Sequence, residues 1–175
     1  MKTIKAVLAA LAIAVLVAGC SSGVKREGEM AVTPGQALPK TPVADVAIRL
    51  TPEAQKLAAD NPKFDPERLR QTVRRYLDAN QLVQPGAGAI AEIVVTEFRV
   101  RGTFSAVMWG VMAGTDNVTG DVVVRDKAGR QLRKFTVNAS YGLGGAMGGD
   151  DTRLNWLYET FAEHTVAELG GPRKN

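Results

Sequence analysis

The feature that most constrains this chain is a single cysteine at the end of a short apolar run. Lys2 and Lys5 precede an unbroken stretch of Ala, Val, Leu and Ile from Ala6 to Ala18. A positive start, an apolar middle and small residues at the end form an export signal. The stretch is too short to cross a hydrocarbon core, which takes about 20 apolar residues. Leu16-Val17-Ala18-Gly19-Cys20 fits a bacterial lipobox, with Leu16, Ala18 and Gly19 at the recognition positions. The small residue before Cys20 lets a peptidase approach the backbone, and the thiol takes up a diacylglycerol. The chain then divides into a signal peptide (1–19), a lipidated cysteine with a flexible tether (20–42), one α/β domain (43–170) and a tail (171–175).

That division sets the composition of the mature protein. Of 175 residues, 156 remain after the first 19 are removed, enough for one domain. Lys+Arg falls from 22 to 20 as Lys2 and Lys5 leave, while Asp+Glu stays at 18, so the charge falls to +2. Nucleic-acid binding needs a basic face, and no nucleic-acid partner is expected. With Cys20 carrying lipid, no internal disulfide and no cysteine zinc site can form. His164 is the only histidine, which removes a multi-histidine metal site. No metal and no cofactor are expected.

Residues 21–41 are small and polar, with Pro34 and Pro39 and no hydrophobic period, a linker composition. If free, about 22 such residues span roughly 25 Å.

The elements follow in order. Val46, Ile48 and Leu50 alternate with Ala47 and Arg49, a short strand. Thr51-Pro52-Glu53 opens a turn or short helix through Ala59. Asp65-Pro66-Glu67 is a strong helix start, followed by Leu69, Val73, Tyr76 and Leu77 on one face. Arg68, Arg70, Arg74 and Arg75 lie mostly off that face, as a solvated surface or a docking face for an acidic partner. Ile90–Val100 is the best strand, with Val94, Thr96, Phe98 and Val100 expected on one side and Ile93, Val95, Glu97 and Arg99 on the other. Val118–Arg125 and Leu132–Tyr141 make a hairpin around Asp126-Lys127-Ala128-Gly129. A last helix is expected, capped by Asp150 or Asp151, with a stripe of Leu154, Leu157, Tyr158, Phe161 and Val166, and stopped by Gly170-Gly171-Pro172. The fold class is α+β: a small, mainly antiparallel sheet of three to five strands with two helices on one face, in the order β-α-β-β-β-α.

Two glycine-rich stretches remain. RGTFSAVMWGVMAGTDN, residues 101–117, carries no charge between Arg101 and Asp116. Phe104, Met108, Trp109 and Met112 make it either core or a surface that adapts to a partner. YGLGGAMGG, residues 141–149, lies before a helix but lacks the third glycine of a dinucleotide loop and the Lys-Ser/Thr of a P-loop. Asp150 and Asp151 also place negative charge where a phosphate would sit. A Ser-His-Asp triad would have to use His164, which has no serine nearby in sequence and reads as a helix-surface residue. The Glu159–Glu163 spacing reads as a solvated helix edge.

FDPERLRQTVRRYLDANQLV, EIVVTEFRVRGTFSAVMWGVMAGTDNVTGDVVVRD, and NASYGLGG followed by NWLYETFAEHTVAEL resemble a family of uncharacterised bacterial lipoproteins known as a domain of unknown function. The likeness covers about residues 45–169 and implies fold and location, not activity. In outline the arrangement is also similar to small periplasmic α/β domains of envelope assembly proteins, such as those of the Tol-system propeller protein and the curli secretion lipoprotein. Families with this lipobox use an aspartate after the cysteine for inner-membrane retention. Ser21 therefore implies the outer membrane, facing the periplasm, in a Gram-negative host. The expected protein is a non-enzymatic accessory held to the membrane through lipid on Cys20. It binds a periplasmic or outer-membrane protein, or itself, through Phe104, Met108, Trp109 and Met112. The alternatives are a lipid or small-ligand carrier and an envelope hydrolase using His164 with Glu163.

Overall fold

Alternation of valines with small polar residues builds the centre of the molecule. In the computed structural model, which describes residues 22–27, 38–101, 114–142 and 149–173, five strands form one sheet: β1 (Gly23–Arg26), β2 (Asp45–Leu50), β3 (Ile90–Arg99), β4 (Asp116–Arg125) and β5 (Gln131–Tyr141). Their spatial order is β1-β5-β4-β3-β2. β2 runs parallel to β3 and every other pair is antiparallel. The parallel pair follows from the crossover of α1 (Pro52–Asp60) and α2 (Pro66–Ala79) between its strands. The chain closes with α3 (Asp150–Glu168).

The helix starts obey their sequence signals. Thr51 Oγ1 accepts from Ala54 N at 3.2 Å and caps α1; Asp65 Oδ1 accepts from Arg68 N at 3.1 Å and caps α2. Leu69, Val73 and Leu77 bury the inner stripe of α2, and Leu154, Leu157, Tyr158, Phe161 and Val166 bury that of α3. α2 and α3 pack on each other, and together they cover Val46, Ile93, Val95, Val118, Val122, Phe135 and Val137 on the sheet. Gly120 is where α3 comes closest: a Cβ there would stand 3.1 Å from Val94 O and 3.4 Å from Phe161 Cζ. The opposite sheet face is a polar ladder in which Thr136 donates to Asp121 at 2.7 Å and Asn138 to Thr119 at 2.8 Å.

The expected α+β class holds, with five strands and three helices among the described residues. Three local expectations need correction. First, strict alternation fails in β3. A bulge between Val95 and Glu97 turns the rest of the strand over, so Phe98 faces the core with Ile93 and Val95 rather than with Thr96. Phe98 then stacks on Phe64, with ring centroids 4.0 Å apart. Second, the N-cap of α3 is Gly149, and Asp150 sits in the first turn with its carboxylate turned to Lys63 and Arg153. Third, the described parts of the segment expected as a tether, residues 22–27 and 38–42, are built into the domain. Gly23–Arg26 adds an edge strand to β5, Leu38 is buried, and Thr41 N donates to Leu169 O at 2.9 Å. Gly170, at φ +88°, ends α3 against the carbonyls of Leu38 and Pro39, which a Cβ would meet at 2.6–2.8 Å.

Candidate functional site

Arg101 ends the segment that follows β3, and Asp116 begins β4. Both are buried, and they face each other across the base of the 102–113 stretch. Asp116 Oδ1 accepts from the Arg101 backbone N at 2.7 Å and from Arg101 Nε at 3.1 Å, and Oδ2 accepts from Nη2 at 3.3 Å. Arg101 Nη1 donates to Gly114 O at 2.5 Å. Arg153, on the first turns of α3, enters from the other side with no exposed surface. Its Nη2 donates to Arg101 O and to Asp150 Oδ1, each at 2.7 Å. Its Nε lies 2.8 Å from Asp116 Oδ2, an ion-pair contact whose N–H is not aligned for a hydrogen bond, and Nη1 has no hydrogen-bond partner among the described residues. Lys63 pairs with Asp150 from the α1–α2 connection.

This network fixes the ends of both glycine-rich stretches. Arg101 and Gly114 bracket residues 102–113, and Gly142 and Gly149 bracket 143–148. Asp116 pairs with Tyr141 in the sheet, and Arg153 N donates to Gly149 O, so all four ends meet at one end of the sheet. The N-terminal strand starts there too. Ser22 Oγ donates to Ser140 O at 3.2 Å and accepts from Ser140 N at 2.9 Å. Beside it, Tyr141 and Trp156 of α3 meet edge to face at 5.2 Å, and Trp156 is 39% exposed.

Leu16, Ala18, Gly19, Cys20, Phe104, Met108, Trp109 and Met112 lie outside the described residues. Ser22, Arg101, Asp116 and Arg153 lie within them. The sequence carried one signal for these, the opposite charges of Arg101 and Asp116 at the two ends of an uncharged run. Arg153 gave no signal, because an arginine two residues after an aspartate pair reads as surface.

His164 corrects a simpler expectation. It lines a groove of about 260 Å³ with Val24, Arg26, Glu163, Ala167, Glu168 and Arg173 instead of standing on an open helix face. Its Nε2 is buried without a hydrogen-bond partner among the described residues. Burial lowers its pKa, and the nearby charges of Glu163 and Glu168 oppose that shift in part. Glu168 is itself held, accepting from Arg26 Nε at 2.6 Å and Nη2 at 2.7 Å. The pair raises the Arg26 pKa through that hydrogen bond. Among the described residues no serine, threonine or cysteine lines this groove. A histidine whose folded pKa lies below its unfolded value of about 6.5 contributes stability above that pH and loses it as pH falls through the folded value. Urea midpoints should therefore drop more steeply below that pH for the wild type than for His164→Gln; parallel pH profiles would show that His164 is not buried as neutral imidazole.

Of the α2 arginines, Arg70 pairs with Glu67 at 2.6 Å, Arg74 with Asp45 at 3.3 Å, and Arg68 donates to Asn155 at 2.5 Å. They tie α2 to β2 and α3. Between the C-terminal ends of α2 and α3 lies an apolar cavity of about 320 Å³, lined by Arg75, Tyr76, Ala79, Asn80, Glu163, Val166 and Pro172. Among the described residues no group of three or more His, Cys, Asp or Glu side chains is placed to hold a metal ion, and no helix is long and apolar enough to cross a membrane.

The sequence pattern of a family described as a domain of unknown function (DUF4410) matches residues 30–145. The match begins inside the segment expected as a tether and stops before α3, whereas the expected likeness ran over about residues 45–169. No curated protein sequence matches this one. Among solved structures the chain is similar to a PelC dodecamer from Paraburkholderia phytofirmans, with 15% identity, TM-score 0.49, and coverage of 87% of this chain and 100% of that one. It is also similar to a minor lipoprotein from Acinetobacter baumannii, with 14% identity, TM-score 0.38, and coverage of 77% and 99%. Likenesses this distant carry no argument about what the chain does.

Proposed function

We propose a role for a chain that belongs to the DUF4410 family, a domain of unknown function: a lipid-anchored, non-enzymatic accessory of the outer membrane that binds a protein partner or a second copy of itself. Cys20 carries the anchor, and Phe104, Met108, Trp109 and Met112 form the contact surface. The observation that supports this most is the buried Arg101–Asp116–Arg153 network at the base of the 102–113 stretch. Binding residues are often placed on loops held by a rigid scaffold. Three buried charges are a costly way to hold a connector that only crosses from one strand to the next.

A second reading is favoured by the cavity between α2 and α3. Its volume of about 320 Å³ lies at the low end of the range for small-ligand sites. Tyr76 and Val166 give it apolar walls, and Arg75 stands over the Tyr76 ring at 5.6 Å. That site is remote from the Arg101 network, so the two readings separate by mutation.

Crosslinking in intact cells tests the first reading. Cys20→Ser should leave the membrane fraction and lose lipid label; a labelled Cys20→Ser protein would remove the lipobox. Trp109→Ala, with the domain still folded, should lose one discrete crosslinked species that the wild type and Tyr76→Ala both retain. Identical crosslinks in Trp109→Ala and wild type would remove the contact surface, and their loss in Tyr76→Ala alone would move the site to the cavity.

A further inference from the structure

We infer that the Tyr141–Trp156 end of the domain rests on the bilayer that holds the lipid. The inference builds on the anchored reading above and adds the orientation of the domain. The chain leaves Cys20 and reaches Ser22 within two residues. Two residues span at most about 7 Å when fully extended. Ser22 is not free to move from there: its hydroxyl both donates to and accepts from the Ser140 backbone. The strand it opens is paired with β5 from Gly23 to Arg26. At the far end of that strand, Arg26 makes two hydrogen bonds to Glu168 of α3, whose side chain is only 5% exposed.

Cys20 thus lies within about 7 Å of Ser22, which is hydrogen-bonded to Ser140, and the sheet end around Ser140 and Tyr141 is brought to the headgroup layer. A tether of about 22 free residues would have left the domain roughly 25 Å away and free to tumble. The docked strand removes that freedom.

The surface at this end suits the location. Tyr141 follows Ser140 and ends β5. Trp156 packs edge to face on it at 5.2 Å and keeps 39% of its surface exposed. It is one of four large hydrophobic side chains that stay exposed among the described residues, and the other three, Leu57, Ile90 and Leu132, are aliphatic. Tryptophan and tyrosine combine an apolar ring with a polar edge, and they concentrate at membrane interfaces for that reason. One lipid chain holds a protein only marginally, and a second contact strengthens the hold.

The test uses the mature lipidated protein in vesicles of phosphatidylethanolamine and phosphatidylglycerol, with and without brominated acyl chains. The chain has two tryptophans. Trp109→Phe isolates Trp156, and the wild type minus Trp156→Phe isolates it again without relying on that variant. Trp156 emission should be quenched about twofold by bromine near the headgroups, as expected for an interfacial ring. It should be unquenched in Cys20→Ser mixed with the same vesicles. If the lipidated protein floats with vesicles while Trp156 stays unquenched and open to iodide, the bilayer contact is wrong and the anchor stands. If the protein carries no lipid and does not float, the anchored reading falls and the contact with it.

Discussion

Asp116→Ala is expected to lower the unfolding free energy by about 3–5 kcal/mol, the range for removing one partner of a buried ion network. Asp116 has no exposed surface, and neither has Arg153; Arg101 is 5% exposed. With the carboxylate gone, two guanidinium groups remain buried at one site, and among the described residues Asp150 still pairs with Arg153. The Arg101 backbone N also loses its acceptor at 2.7 Å. Domains of this size are stable by roughly 5–15 kcal/mol, so the variant should be close to unfolding. The measurement is the urea midpoint at constant slope. Asp116→Asn keeps shape and one acceptor but removes the charge, and should fall between wild type and alanine. The double variant Asp116→Ala with Arg153→Met should lose less than the two single losses added together, because the second change removes one stranded charge. A loss below about 1 kcal/mol for Asp116→Ala would place this network among solvated ion pairs and would remove the main support for the proposed contact surface.

What the sequence revealed depended on how local each signal was. The start of α2 was legible because Asp65, Pro66 and Glu67 carry their instructions within one turn, and the cap forms as expected. The β4–β5 hairpin was legible because alternation on both strands meets at Gly129, which takes φ +78°. The features that were missed depend on contacts far along the chain. Gly23-Val24-Lys25-Arg26 has little strand character of its own. It becomes a strand because β5 offers an unpaired edge, and because Glu168, 142 residues away, receives Arg26. The β3 bulge is set by the need to bring Phe98 onto Phe64, a partner in the connection between two helices. Asp150 fails as a cap because Arg153 and Lys63 hold its carboxylate. His164 belongs to a groove whose other wall is β1, so its burial could not be read without that strand. The candidate site follows the same rule. Its apolar run was plain in the sequence, while the buried charges at its two ends come together from the segment after β3, from β4 and from α3.

Phe161→Ala is the second large effect, with an expected loss of about 3–5 kcal/mol. The ring has no exposed surface and lies over the centre of the sheet. The loss should sit at the upper end of that range because the facing position cannot fill the hole. Gly120 has no side chain to move, and the other atoms a Cβ at Gly120 would meet are backbone of Val94 and Val95 in a hydrogen-bonded strand. A site that cannot collapse keeps its cavity, and the cost grows with the volume left open. The pair can be tested against each other. Gly120→Ala alone crowds Val94 O at 3.1 Å and the Phe161 ring at 3.4 Å, and overpacking of this kind costs about 1–3 kcal/mol. In the Phe161→Ala background the new methyl group meets a space instead of a ring, and should cost less or add stability. Urea midpoints of the two single variants and the double variant give the coupling. Additive losses would mean that α3 stands farther from β4 than the Gly120–Phe161 contact requires.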